Sequence, residues 1–255
     1  MHDLDLPSTR LPASSFLPIS SLLQFLKILT CDLEAGHCSS AVYIDFSKAF
    51  DSVPHERLLI KLKSLGICGP LLRWIEGFVS NRQQRVVIRG QASAWTRVRS
   101  GVPQGSVLGP LLFVIYIDDV DQCFLHSTVL KYADDIKIVS SSTSSTDKSL
   151  NLLQEDLNRL VSWSNDWLLK FNFAKCRVLH FGSHTDNFTT LHLNDFPISV
   201  SSCECDLGVY ISNNLKPSLQ CLIRAAASAQ RLLNLVRLSF RPLDIHSLSH
   251  IYKTT

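Results

Sequence analysis

The chain has 255 residues, 45% hydrophobic and 18% charged, with a formal net charge of +3, enough apolar material for one large or two modest packed domains. Its eight cysteines show no Cys-x-x-Cys spacing, which excludes a disulfide framework and a zinc ribbon and leaves free thiols as the expectation. Asp3 and Asp5 precede any apolar run, and the longest apolar stretch, Val107 to Ile117, is broken by Gly109-Pro110; neither a secretory leader nor a membrane span is expected, and the expected setting is intracellular, in nucleus or cytoplasm.

Residues 1–21 read as an irregular segment. Leu22, Leu23, Phe25, Leu26 and Leu29 then give a short helical stripe, followed by a strand, Ala41-Val42-Tyr43-Ile44, that ends at Asp45. Pro54 is placed at the first turn of a helix carrying Leu58, Leu59, Leu62 and Leu65, and Gly66 stops it. A second helix follows Pro70. Gln84 to Ile88 and Trp95 to Val98 read as a hairpin around Gly90. Nine basic residues against one acid, Glu76, lie between Arg57 and Arg99, a local excess that suits a polyanion; a solvated basic face is the alternative.

Ser100 to Ser106 is a loop, with Ser106 placed to cap the apolar helix Leu111 to Ile115. Val129 to Val139 reads as a second hairpin with Ala133-Asp134-Asp135 at its tip, and Ser140 to Thr146 as a polar loop. Leu150, Leu153, Leu157, Leu160, Trp163 and Trp167 recur at helical spacing. Strands are expected at Arg177–Phe181, Leu191–Leu193 and Leu207–Ile211, and a basic helix from Leu219 to Leu238. Cys203-Glu204-Cys205 with His180 and His184 fits no common zinc spacing. The pattern is α+β, divided as 1–21, 22–212 and 213–255.

Asp45 and the pair Asp134-Asp135 lie about ninety positions apart, each where an apolar strand meets a turn. Carboxylates gathered at such strand ends repel one another unless cations neutralise them. Hard Mg²⁺ takes oxygen ligands and leaves positions for phosphates, and two such ions can clamp both oxygens of a phosphoryl transfer. The expected chemistry is nucleotide polymerisation. Tyr116-Ile117-Asp118-Asp119 also spells Tyr-x-Asp-Asp, but it closes the apolar helix and no returning strand follows it; a helix end is the expectation there.

Tyr43-Ile44-Asp45-Phe46-Ser47-Lys48-Ala49-Phe50-Asp51, Gly101-Val102-Pro103-Gln104-Gly105-Ser106 and Tyr132-Ala133-Asp134-Asp135, in that order, closely resemble the core of reverse transcriptases from non-LTR (LINE-type) retrotransposons. The resemblance runs from about Leu22 to the C-terminus. It implies a right-hand polymerase palm, an antiparallel sheet with helices packed on one face, together with partial fingers and the start of a helical thumb. It further implies RNA-directed DNA synthesis on an RNA template and a DNA primer from dNTPs, with two Mg²⁺ ions for which Mn²⁺ can substitute.

Residue by residue, the resemblance gives Asp45, Asp134 and Asp135 as metal-binding and catalytic, with Asp134 the more direct ligand of the pair. It makes Phe46, Ser47, Lys48 and Ala49 a cradle for the triphosphate. Phe50 takes the position under the incoming sugar, where a ring would clash with a ribose 2′-hydroxyl, and Gln104 packs on nucleotide and template. Lys175 is given as a catalytic residue that protonates or steadies the pyrophosphate; a solvated lysine is the competing reading. Leu207-Gly208-Val209 resembles a primer-gripping hairpin, and Arg224 and Arg231 a thumb helix along the duplex, with Arg82 and Arg85 adding contacts to nucleic acid.

The family carries a longer fingers region and an endonuclease upstream, so the chain is expected to be truncated at both ends. Two readings follow: an RNA-directed DNA polymerase, or a catalytically inactive nucleic-acid-binding remnant. The Phe46 to Asp51 string argues against an intron-maturase or telomerase-type palm.

Overall fold

The computed structural model describes residues 18–142, 147–182, 189–217, 220, 223 and 226–239. In chain order these form α1 (Pro18–Glu34), β1 (Cys38–Ile44), α2 (Ala49–Ser52), α3 (His55–Ser64), α4 (Gly69–Val79), β2 (Gln83–Gln84), β3 (Val87–Ile88), β4 (Gln91–Ala92), β5 (Thr96–Arg97) and α5 (Leu108–Tyr116). A 3₁₀ turn, Asp118–Cys123, precedes β6 (Thr128–Tyr132), β7 (Asp135–Ser142), α6 (Asp147–Trp167), β8 (Arg177–Phe181), β9 (His192–Leu193), β10 (Phe196–Pro197) and β11 (Ser199–Val200). Last come β12 (Cys203–Asp206), β13 (Val209–Ser212) and α7 (Ala227–Ser239). The backbone divides into two units at Ser201/Ser202, so β12 and β13 group with the C-terminal helix, eleven residues ahead of the expected boundary.

A five-stranded sheet in the order β11-β8-β1-β7-β6 organises the first unit. All its pairings are antiparallel except β11 with β8. β1 sits at the centre, buried over most of its length, with the apolar Ala41, Val42 and Ile44 and the small Ser39 and Ser40 all buried. Side chains alternate along it. Val42 and Ile44, with Ile136 and Ile138 of β7, join one core with Phe113 of α5 and with Leu150, Leu153, Leu157 and Leu160 of α6. Burying that leucine stripe is what holds α6 against the sheet.

The expected helical layer on one face is therefore present, and α1 in addition covers the opposite face. Phe25 meets Tyr43 edge-on at 6.0 Å between ring centroids, and the Lys137 ammonium lies 5.5 Å from the Phe25 ring. No helix among the described residues is long and apolar enough to cross a membrane. The seven described cysteines are all free, and His184 of the rejected zinc reading lies outside the described residues.

Several boundaries differ from the sequence reading. Ser140, Ser141 and Ser142 belong to β7, because Ser40, Ser39 and Cys38 of β1 pair with them; a low-complexity polar run becomes strand when a partner supplies the hydrogen bonds. Pro54 stands just before α3 in extended conformation rather than inside its first turn. The hairpin around Gly90 is two short ladders, β2 with β5 and β3 with β4, turning where both Arg89 and Gly90 have positive φ. Leu207 and Gly208 form the turn between β12 and β13, so the expected strand there starts at Val209.

Candidate active site

Asp45 leaves the sheet one residue beyond β1. Its position is fixed from the other side by a second, short ladder: Asn172 N–H donates to Asp45 O (2.8 Å) and Ser47 N–H to Lys170 O (2.7 Å). Between them Phe46 bridges to Phe171, and the two rings stack at 5.3 Å. The chain then turns on Asn172, whose carbonyl accepts from the amides of Lys175 (2.9 Å) and Cys176 (3.1 Å). That turn swings Lys175 back, and its Nζ lies 3.3 Å from Asp45 Oδ2. Cys176 is buried, and burial pushes its thiol pKa up, with the Asp45 backbone hydrogen bond opposing.

Asp134 lies in the turn between β6 and β7, beside Ala133 in left-handed conformation (φ 51°); Asp135 opens β7 opposite Tyr132. Ile44 pairs with Ile136, so Asp45, the residue after Ile44, and Asp135, the residue before Ile136, stand at the same end of the antiparallel pair. The two carboxylate clusters, remote in sequence, thus sit at one end of one sheet. Every candidate donor there is a carboxylate oxygen, the type a hard divalent cation takes. The side chains, however, do not converge into a group of three or more acids, histidines or cysteines arranged for a metal ion among the described residues, and Asp45 is turned toward Lys175.

The segment Phe46 to Asp51 is shaped by Lys48 in left-handed conformation (φ 49°, ψ 48°), which starts α2. Ser52 Oγ donates to Lys48 O at 2.9 Å. The Ser47 amide is taken by Lys170 and does not offer itself to a phosphate, unlike the expected cradle. Ala49 is buried, and Phe50 is partly buried and stacks on Phe113 at 4.5 Å.

The loop Ser100 to Gln104 is tied to α2 and the residues behind it. Ser100 Oγ donates to Asp51 O (2.8 Å), Gly101 N–H to Val53 O (2.8 Å) and Val102 N–H to Phe50 O (2.8 Å). His55 Nε2 sits 2.9 Å from Gly101 O, and Gln104 Nε2 donates to Asp51 Oδ1 (2.9 Å). A Cβ on Gly101, whose φ is +93°, would come within 2.7 Å of Asp51 Cα; one on Gly109 would come within 2.3 Å of Pro103 O. Ser106 Oγ accepts from Gly109 N–H (2.9 Å) and donates to Pro103 O (2.7 Å), so it caps α5 as its residue type suggests.

Beside this loop lies an open groove of about 780 Å³ whose lining includes Lys48, Asp51, Arg82, Arg97, Arg99 and Gln104. A second groove, about 680 Å³, lies where Arg97 and Arg99 meet His55 and Arg57. The basic run between Arg57 and Arg99 therefore lines two concave surfaces. Arg85 does not join the lining of either groove and lies over the Trp95 ring at 4.6 Å instead.

The other Tyr-x-Asp-Asp lies at the edge of the core, with Tyr116 and Ile117 buried and Asp118 and Asp119 partly buried. Lys61, buried, is ion-paired to Asp119, which also accepts from Trp163 Nε1 at 2.9 Å. The Lys61 ammonium lies 3.8 Å from the Trp167 ring centroid and just over 5 Å from those of Tyr116 (5.3 Å) and Trp163 (5.2 Å). Burial lowers the Lys61 pKa, opposed by the hydrogen bond and charge of Asp119. Tyr116 OH donates to Trp167 O, and burial raises its pKa strongly. Lys131 Nζ takes the Asp118 carbonyl (2.9 Å) and Asp121 (2.8 Å). Asp119 thus ties α3 to α6, and Asp121 ties the 3₁₀ turn to β6.

In the second unit Leu207, Gly208 and Val209 occupy the β12–β13 hairpin, and Arg231 is exposed on α7. Arg224 lies outside the described residues. Sequence reasoning did not single out Asp51, Arg97 or Arg99 as site residues, although all three stand in or beside the motifs quoted above.

Residues 5–211 match the family model for reverse transcriptase (RNA-dependent DNA polymerase). The probable RNA-directed DNA polymerase from transposon BS of Drosophila melanogaster is 35% identical over 143 residues, which is 53% of this chain and 16% of that protein. The RNA-directed DNA polymerase from mobile element jockey of Drosophila funebris is 31% identical over 190 residues, 72% of this chain and 20% of that protein. The chain thus spans a fifth or less of the length of these relatives. Among solved structures, apo telomerase from Candida tropicalis superposes with a TM-score of 0.54 at 12% identity, covering 79% of this chain and 36% of that one. At that identity the likeness shows the fold alone, a reverse transcriptase palm.

Proposed function

The chain belongs to the reverse transcriptase (RNA-dependent DNA polymerase) family, alongside polymerases of non-LTR mobile elements, and on that premise we propose that it is the palm of an RNA-directed DNA polymerase, extending a DNA primer with dNTPs on an RNA template inside the cell, in nucleus or cytoplasm. The observation that carries this reading is the β1–β7–β6 register, which sets Asp45 at the same sheet end as Asp134 and Asp135.

Asp45, Asp134 and Asp135 would hold two Mg²⁺ or Mn²⁺ ions. Bound there, such ions stabilise charge on the attacking and departing oxygens of a nucleotidyl transfer. The chain's own groups do the rest. Lys175 Nζ lies 3.3 Å from Asp45 Oδ2, close enough to compensate that carboxylate and to serve the departing pyrophosphate. The Phe50 ring, backed by Phe113, gives a rigid floor beneath the sugar, against which a 2′-hydroxyl clashes. Lys48, Arg82, Arg97 and Arg99 line a groove of the charge and size to carry template phosphates. Arg85, Leu207, Gly208, Val209, Arg224 and Arg231 keep their proposed role along primer and duplex.

The test is primer extension on an RNA template by the purified full chain. Mg²⁺-dependent dNTP addition that D134A abolishes supports the reading. A folded chain that adds no nucleotide under varied metal and salt overturns it. Salt-sensitive RNA binding indifferent to D134A would mark a binding remnant instead.

A further inference from the structure

Asp51 is the one acid among the residues lining the groove that Lys48, Arg82, Arg97 and Arg99 make basic. A carboxylate there opposes the very phosphates those cations attract, so its presence asks for a reason. Its Oδ1 accepts from Gln104 Nε2 at 2.9 Å. A carboxylate can only accept, so the Gln104 amide must face it with its NH₂, leaving Oε1 on the other side as an acceptor. The backbone around Asp51 cannot drift from the loop. Ser100 Oγ donates to its carbonyl, Phe50 just before it and Val53 two residues after it accept from Val102 and Gly101, and Gly101 approaches its Cα more closely than any side chain allows.

We propose that Asp51 is a positioning residue that fixes the orientation of the Gln104 amide, so that Gln104 Oε1 presents an acceptor to a hydroxyl or amino hydrogen of the bound nucleotide. The claim rests on the polymerase reading for its ligand, but not for its geometry. Only the carboxylate of Asp51 serves Gln104, while the ties to Ser100 and Gly101 use main-chain atoms. Substitutions of Asp51 therefore remove one interaction and leave the loop fastened.

The experiment has two arms on the full chain. In the first, selective ¹⁵N-glutamine labelling follows the Gln104 side-chain NH₂ pair, assigned by its loss in Q104A. D51A moves that pair to the position of a solvated amide, whereas D51N, which retains an acceptor oxygen, keeps it near the wild-type shift. In the second, primer extension gives KM for dNTP and template affinity separately. D51A and Q104A each raise one of these about five- to tenfold with little change in kcat, D51N recovers most of the loss, and the double variant D51A/Q104A is no worse than either single one. A rise confined to dNTP KM assigns the donor to the incoming triphosphate; a matching loss of template affinity assigns it to the template strand. Three results overturn the proposal: Gln104 resonances indifferent to D51A, D51N as damaging as D51A, or costs that add in the double variant. If the wild-type chain extends no primer, the polymerase reading fails, and the labelling arm still decides the positioning.

Discussion

Tyr116-Ile117-Asp118-Asp119 and Tyr132-Ala133-Asp134-Asp135 differ in one residue, yet the fold uses them in opposite ways. The first ends a buried helix, and Asp119 is consumed by Lys61 and Trp163. The second turns between two strands at a sheet end, next to the strand that delivers Asp45. The difference lies in what surrounds the acids. A carboxylate that neutralises an interior cation contributes to packing and cannot be withdrawn without stranding that cation; at the strand end Asp135 is exposed and Asp134 partly so.

The sharpest way to break this contrast is to exchange the consequences. D134N should lower primer extension by roughly 10³-fold or more, since several kcal/mol of charge stabilisation are lost, while the melting temperature holds. Steady-state extension with parallel calorimetry checks it, and a comparable rate loss in folded D119N would erase the distinction. D119A should instead cost about 3 kcal/mol of stability by leaving Lys61 buried without its partner, and the double variant K61M/D119L should recover much of it. Denaturant titrations decide this; a D119A protein as stable as wild type would show that the interior pair is not structural.

The sheet that carries Asp45 can also be loosened without touching either acid pair. His180 on β8 is buried beside Ser40 of β1, 2.8 Å from Nδ1 to Oγ, and burial lowers its pKa to about 4. The folded protein therefore holds it neutral while the unfolded chain takes a proton near pH 6.5. Its contribution is complete above that value and is lost as the pH falls toward 4, amounting to about 2 kcal/mol between pH 7 and pH 5. Melts across that window should flatten in H180Q; an unchanged slope would remove His180 from the account. The smallest effect concerns the loop. In G109A the new methyl meets Pro103 O at 2.3 Å, a clash of about 1–3 kcal/mol offset by alanine's helix preference of about 1. A net loss of about 1 kcal/mol is expected by urea titration, and a gain would mean the loop yields freely.

What was legible in the chain follows from range of interaction. The leucine stripe of α6 and the apolar run of β1 announce themselves locally, because period and composition are properties of the segment. The same holds for the Ala133-Asp134 turn and for Ser106 as a cap. Ser140 to Ser142 did not announce themselves: nothing in three serines predicts a strand, and their pairing is dictated by residues a hundred positions upstream. The short ladder between residues 45–47 and 170–172 was hidden for the same reason, and with it the route by which Lys175 reaches Asp45. The Lys61–Asp119 pair joins elements 58 positions apart, beyond any local pattern. Asp51 was visible as a letter of a motif, but its role required seeing which amide it faces.

The fastening of the Ser100–Gln104 loop depends largely on atoms that every amino acid possesses: peptide amides and carbonyls, plus the bare α-carbon of Gly101. A restraint of that kind is blind to most spelling changes. Val102 can trade its methyl groups, subject only to filling the space it fills, whereas adding one carbon at position 101 pries the whole junction apart. Saturation mutagenesis of residues 100–104, scored for folding rather than for nucleotide addition, should therefore return a landscape of broad permissive ground with its steepest cliff at position 101.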